Sequence, residues 1–199
     1  MEQLIIAITG PSGIGKTTLG NNLRNYDGFV TPIHSTTRNK RIDDEEGFYR
    51  YLTHREFGEF VNTNEFFLWS GDNVIVNELF GNFYGILNRD FDLVSNVNRI
   101  IIYVSYKDIE RLNELIDMGF NIKIVNLVYS DLEGNMSKRL MGAKRLYSEQ
   151  EINKRVKNAV EYENMYGDFL DSCDTLKLYG DIDNSEVVYK KVLQKIVLR

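Results

Sequence analysis

The sequence is short of the residues that tie or break a chain. Of its 199 residues only two are proline and one, Cys173, is cysteine. A single cysteine excludes an internal disulfide framework and suits a reducing compartment, so Cys173 reads as a small side chain near a helix end. With so little proline and no long polar or low-complexity tract, the pattern offers no flexible linker or disordered tail, and one domain with small insertions is expected. No apolar run reaches the roughly 18 residues needed to cross a membrane. The short run Leu4 to Ile8 leads directly into a glycine-rich loop and reads as a buried strand, not as a signal peptide. Basic charge is also scarce: 24 Lys and Arg against 29 Asp and Glu leave a formal net charge of −5. A nucleic-acid surface needs a basic stripe to displace counterions, so none is expected and any phosphate binding must be local. These absences together fit a cytoplasmic protein.

What is present is enough apolar sequence, 43% of the chain, to bury one substantial core. β-Branched apolar runs recur at Leu4 to Ile8, Ile100 to Val104, Ile122 to Val128 and, more weakly, Leu176 to Leu178, as in strands buried on both faces. Apolar residues at three- and four-residue spacing predict helices over Lys16 to Leu23, Lys107 to Met118, Leu132 to Leu140, Ser148 to Tyr166 and Ser185 to Val197. Ser148 and Glu151 have the spacing of a capping box. Strand and helix alternate, which predicts an α/β fold with a parallel sheet covered on both faces. The segment from Thr31 to Tyr84 departs from that rhythm. It is rich in aromatic and polar residues, with one helical stretch near His54 to Val61 and a strand expected at Val74 to Val76, and it reads as a small, mostly β excursion.

Chemistry enters at Gly10-Pro11-Ser12-Gly13-Ile14-Gly15-Lys16-Thr17, which fits the phosphate-loop pattern G-x-x-x-x-G-K-[ST] and stands between a strand and a helix. The glycines let backbone N–H groups converge on phosphates and the helix start adds its positive dipole end. Lys16 is expected to reach the β- and γ-phosphates of a nucleoside triphosphate, and Thr17 to hold Mg²⁺. Gly10, Ser12, Gly13, Ile14, Gly15 and Thr18 complete the expected triphosphate contacts. A tight glycine-rich turn is the bland alternative; the full motif in this context outweighs it. The loop alone does not choose among ATPases, GTPases, kinases and motor proteins.

A second cluster, His34-Ser35-Thr36-Thr37-Arg38-Asn39-Lys40-Arg41, sets two guanidiniums three residues apart beside a run of hydroxyls, a set able to hold phosphate oxygens. In order along the chain follow Gly47-Phe48-Tyr49-Arg50-Tyr51, Asn64-Glu65-Phe66 with Trp69, Gly81-Asn82-Phe83-Tyr84-Gly85 and Ile152-Asn153-Lys154-Arg155. With the phosphate loop, this series resembles the guanylate kinases over nearly the whole chain. The resemblance implies a P-loop NTPase sheet flanked by helices, a small, mostly β monophosphate-binding lobe at 31–85 and a helical lid at 139–165, the core being 1–30, 86–138 and 166–199. It implies that Ser35, Arg38, Arg41, Tyr49 and Tyr84 bind the phosphate of a nucleoside monophosphate. It further implies that Lys16, Arg139, Arg155 and either Arg145 or Lys144 neutralise the transferred group, with ATP and Mg²⁺ on the donor side. The partners are then small molecules, with no nucleic acid or membrane, in a monomer or homodimer.

The family's guanine readers are replaced. Leu68 stands where a glutamate precedes the tryptophan, Ile86 where a serine or threonine follows the GNYYG motif, and Tyr103-Val104-Ser105 where an Asp-x-Asp pair is usual. An insertion, Ser70 to Asn77, carries Asp72 and Asn73 and either forms a surface hairpin or rebuilds the acceptor site. The leading expectation is a nucleoside monophosphate kinase, with GMP or dGMP as the default acceptor. A ribosyl-phosphate kinase and a non-catalytic guanylate-kinase-like binding module are the alternatives, the latter weakened by the complete phosphate loop.

Overall fold

The apolar β-branched runs form the strands of a parallel sheet. Leu4–Thr9 is β1, and its Ile5, Ile6, Ala7 and Ile8 are fully buried. The computed structural model describes residues 3–42, 44–70, 82–142, 147–172, 175–180 and 184–197. After β1 come α1 (Lys16–Asp27), β2 (His34–Thr36), β3 (Tyr49–Tyr51), α2 (His54–Asn62), β4 (Phe66–Ser70), β5 (Tyr84–Leu87), α3 (Asn88–Asp92) and β6 (Arg99–Tyr103). Then follow α4 (Ile109–Asp117), β7 (Ile122–Val128), α5 (Leu132–Met141), α6 (Glu149–Ser172), β8 (Thr175–Tyr179) and α7 (Ser185–Val192). One sheet has the order β6-β1-β7-β8 and the other β3-β2-β5-β4. The fold is α/β with helices flanking a parallel sheet, as the alternating pattern predicts.

The chain divides into two compact units, Met1–Ile5 with Phe29–Asn121 and Ile6–Gly28 with Ile122–Arg199. In the first, β2 pairs parallel with β3 and antiparallel with β5, which pairs antiparallel with β4 across a register shift between Phe66 and Leu68. The core against this small sheet is Phe57, Phe66, Phe83 and Leu87, with Trp69 and Phe60 packed on it. Phe57 comes from α2, whose start is fixed reciprocally: Thr53 Oγ1 accepts from Glu56 N at 3.2 Å and Glu56 Oε2 accepts from Thr53 N at 2.7 Å. On the other side of β4, Phe67 stacks on Phe91 of α3 with ring centroids 3.8 Å apart.

In the second unit β7 and β8 run parallel, in register from Ile124 with Thr175 to Val128 with Tyr179. The expected capping box opens α6: Glu151 N donates to Ser148 Oγ at 3.2 Å, and Ser148 N donates to Glu151 Oε2 at 3.1 Å. Tyr189 of α7 donates to Asp27 at the end of α1 at 2.9 Å, which ties the helix after the phosphate loop to the C-terminal helix.

Candidate active site

Each unit carries its own polar cluster. In the second unit the chain leaves β1 at Gly10, turns, and enters α1 at Lys16. Gly10 has φ +133°, and a Cβ there would lie 2.2 Å from the Leu127 carbonyl oxygen, so only glycine lets the loop pass β7. Gly15, the N-cap of α1, has φ +113° and supplies no side-chain cap; no acidic residue stands in the first turn. The first N–H groups of α1 therefore receive no side-chain cap from Gly15 and face no carboxylate in their own turn, the arrangement an anion needs.

Lys16 curls back on this loop. Its Nζ donates to the carbonyls of Gly10 at 2.6 Å and Pro11 at 2.8 Å, and burial pushes its pKa down from 10.5 to about 8. Thr17 and Thr18 are exposed at the helix start. Tyr129 donates to the Ser12 carbonyl at 3.2 Å, and Arg155 Nη1 donates to Ser12 Oγ at 3.0 Å. The Arg155 guanidinium also lies 4.8 Å from the centre of the Tyr147 ring. α6 thus delivers one of the expected cations to the loop. Arg139, exposed on α5, lines a cavity of about 440 Å³ with Ile14, Gly15, Thr18, Asn184 and Val188. Arg145, Lys144, the strand expected at Val74 to Val76 and the insertion Ser70 to Asn77 beyond Ser70, which ends β4, lie outside the described residues, as does Cys173.

In the first unit the strand register sorts the other candidates. Thr36 stands opposite Tyr84 and Tyr51, whereas Ser35 stands opposite Gly85 and Arg50. Side chains alternate along a strand, so Tyr84 and Ser35 point to opposite faces. Ser35 is fully buried, and its Oγ has no hydrogen-bond partner among the described residues. Tyr49, Tyr84 and Arg41 are partly buried. Arg38 is 6% exposed, with its guanidinium 4.5 Å from the Tyr49 ring centre. It forms a two-pronged ion pair with Asp44 through Nη1 at 2.7 Å and Nη2 at 2.6 Å. Asp44 also accepts from Arg41 N at 2.7 Å and from the Tyr51 hydroxyl at 2.6 Å. Burial alone would raise the Asp44 carboxyl; the bonds from Arg38, Tyr51 and Arg41 overcome it and hold the group far below the usual carboxylate range. Burial and Asp44 push the Tyr51 phenol up to about 12.

The same face of β2 carries His34, which sequence reasoning did not single out. Its ring stacks on Phe48 at 5.2 Å and meets Tyr103 edge-on at 5.7 Å. Nε2 accepts the Tyr103 N–H at 3.2 Å and Nδ1 lies 3.0 Å from the Pro32 carbonyl, which assigns the proton to Nδ1. Burial lowers its pKa to about 4 against these two bonds, so the imidazole is neutral. Among the replaced readers, Leu68 and Ile86 are direct partners in the β4–β5 ladder and are 3% and 1% exposed. Ser105 N donates to Asp108 Oδ2 at 2.6 Å.

A phosphate loop after the inner strand β1 and a separate Arg-Tyr cluster on the sheet β3-β2-β5-β4 are the features expected of a P-loop phosphotransferase of the nucleoside monophosphate kinase class. The family model for guanylate kinase matches residues 2–174. A guanylate kinase of Mesomycoplasma hyopneumoniae is 29% identical over 192 residues, covering 87% of this chain and 90% of that one. One of Carboxydothermus hydrogenoformans is 26% identical over 141 residues, covering 69% of this chain and 66% of that one. In fold, the chain matches the crystal structure of guanylate kinase from Anaplasma phagocytophilum with a TM-score of 0.66 at 16% identity, over 99% of this chain and 86% of that one. The chain belongs to the guanylate kinase family.

Proposed function

We propose that this enzyme transfers the γ-phosphoryl group of ATP to a nucleoside monophosphate and reads the base of that acceptor only weakly as guanine. The observation that carries the second half is the buried pair Leu68 and Ile86, which offers no hydrogen-bonding group where the family's readers stand. Guanine N–H donors set against such a pair lose their partners, at about 1 to 3 kcal/mol each. GMP and dGMP are the default acceptors, but with modest preference over other bases.

On the donor side, backbone N–H groups of Gly13, Gly15 and the first turn of α1 hold the phosphates with Ser12 and Ile14 in the loop. Lys16 leaves its two carbonyls for the β- and γ-phosphate oxygens. Thr17 fits Mg²⁺: its exposed hydroxyl is a hard oxygen ligand, and Mg²⁺ takes its other positions mostly from phosphates and water. Among the described residues no group of three or more His, Cys, Asp or Glu competes for it. When bound, the ion neutralises charge on the β- and γ-phosphates. Arg155 and Arg139, with Arg145 or Lys144, add positive charge around the transferred group, while Arg38, Arg41, Tyr49 and Tyr84 orient the acceptor phosphate. The acceptor is already an anion, so positioning and charge neutralisation suffice without a general base. The working set is small molecules alone, in a cytoplasmic monomer or homodimer; among the described residues no helix is long and apolar enough to cross a membrane.

A coupled ADP-release screen with ATP against GMP, dGMP, AMP, CMP, UMP and a ribosyl phosphate tests the reading. Turnover of several nucleoside monophosphates with GMP favoured by less than about a thousandfold is expected, since the replaced readers remove most of the discrimination. A larger GMP preference would overturn the weak-recognition half. Turnover of the ribosyl phosphate alone would replace the acceptor class.

A further inference from the structure

Asp44 lies in the acidic run Asp43-Asp44-Glu45-Glu46, where a solvated surface side chain would be the ordinary outcome. Instead its side chain is 9% exposed, that of Arg38 is 5% exposed, and the two meet end to end. Three kinds of donor converge on the carboxylate: both terminal nitrogens of Arg38, the backbone N–H of Arg41 and the hydroxyl of Tyr51.

The planar guanidinium has five N–H donors in fixed directions. Nη1 donates to Asp44 and to the Asn39 carbonyl, the latter at 2.9 Å, and Nη2 donates to Asp44. These bonds fasten the Nη1–Nη2 end of the ion while Tyr49 covers a face. The edge formed by Nε and the second Nη2 hydrogen carries the parallel N–H pair that matches another two-pronged anion. A phosphate arriving at the Nη1–Nη2 end would have to strip a nearly buried carboxylate of its bonds. At the Nε–Nη2 edge it strips nothing from Asp44.

We propose that Asp44 is a positioning residue for the acceptor: it grips one end of Arg38 so that the Nε–Nη2 edge is presented to the phosphate of the nucleoside monophosphate. Tyr51 and the Arg41 backbone hold Asp44 in turn. The inference rests on the reading of Arg38 and Tyr49 as acceptor contacts.

The test is steady-state kinetics of Asp44→Asn in the full-length chain, with saturating ATP and with GMP, AMP, CMP and UMP each titrated. Loss of the anchor should raise the acceptor KM about tenfold or more, by a similar factor for each base, with kcat and the ATP KM within about threefold. An unchanged KM overturns the proposal; a fall in KM overturns it too, because Asp44 would then be a competing anion. A double-mutant cycle separates positioning from general loosening: in an Arg38→Lys background Asp44→Asn should add no more than about twofold. A full effect in that background means Asp44 acts on something other than Arg38, and the proposal fails. Should Asp44→Asn not fold, Tyr51→Phe decides, since removing one of the bonds on Asp44 should raise the acceptor KM by about two- to fivefold, and no rise overturns it. Wild type that turns over none of the four acceptors would defeat the function reading and this inference together. An active wild type with an unmoved Asp44→Asn variant defeats this inference alone.

Discussion

Raising the pH should switch off ATP capture well before it harms the fold. Lys16 is turned inward on the carbonyls of Gly10 and Pro11, and burial lowers its pKa from 10.5 to about 8. Around pH 7 about nine-tenths of free enzyme then carries the ammonium, and at pH 9 only about one-tenth does. Phosphate oxygens of bound ATP favour the charged form, so binding at high pH must recharge the lysine. The expected result is a fall in kcat/KM for ATP of about tenfold between pH 7 and 9, equivalent to about 1.4 kcal/mol, with its midpoint near 8. Stability moves the other way. The folded pKa lies below the unfolded one, so the unfolded chain binds the extra proton and the folded state gains stability from this group as pH rises from about 8 to 10.5. Loss of activity at pH 9 with an unchanged or higher melting temperature is therefore the signature. Initial rates at several ATP concentrations, paired with thermal melts across the same pH range, measure both. Lys16→Arg, which does not titrate in this window, should lose the pH dependence whatever its absolute rate. A flat kcat/KM for wild type from pH 7 to 9 would refute the reasoning.

Three further outcomes are expected. Arg38→Lys should raise the acceptor KM about tenfold or more and leave the ATP KM nearly unmoved, because a point charge cannot replace a planar fork; equal effects on both substrates in steady-state assays would place Arg38 elsewhere. Arg155→Ala removes the bond to Ser12 Oγ and a charge beside the phosphate loop, and single-turnover rates should fall by about a hundredfold or more; a rate within threefold of wild type would remove Arg155 from the machinery. Phe57→Ala empties the centre of the first unit's core, where Phe57 is fully buried against Phe66 and Phe83, and urea unfolding should show a loss of about 3 to 5 kcal/mol; a loss under 1 kcal/mol would mean the cluster collapses on the gap.

The long elements were readable because their strands are buried as continuous apolar runs and their helices carry apolar residues at helical spacing. β1, β6, β7 and β8 are where the β-branched runs lie, and α5, α6 and α7 begin at residues whose side chains cap them: Asp131 accepts from Gly134 N, Ser148 from Glu151 N and Asn184 from Val187 N. The short pieces were not. β2 and β3 are three residues each, too short for alternation to show, and α3 carries no pattern in five. The hydroxyl run Ser35-Thr36-Thr37 therefore gave composition without direction. Only the register with β5 turns Thr36 toward Tyr84 and Ser35 away from it. Thr37 is spent on structure, its Oγ1 accepting from Phe83 N at 2.9 Å. Asp44 was illegible for the opposite reason, since an acidic residue among acidic residues carries no signal until Arg38 is seen to fold back on it.

This contrast explains why one half of the chemistry is plain in the sequence and the other is not. The donor loop works mostly through main-chain N–H groups, so it needs a backbone path that few residues allow, and Gly10 against the Leu127 carbonyl is one such constraint. Such a requirement leaves a fixed motif. Base recognition works through side chains alone, and each can be exchanged if the fold tolerates the replacement. Leu68 and Ile86 pack as buried ladder partners, so apolar side chains at these two positions bring no polar group that needs a partner and cost the fold little. His34 cannot take over their task cheaply. One ring nitrogen is committed to the Tyr103 N–H and the other faces the Pro32 carbonyl, and using either on a base edge would expose a buried backbone group. On the proposed reading, discrimination at this face falls to shape and stacking, and π-faces are common to every base. A loop constrained by backbone geometry and a pocket built of exchangeable side chains together predict an enzyme strict about ATP's phosphates and permissive about the base of its acceptor.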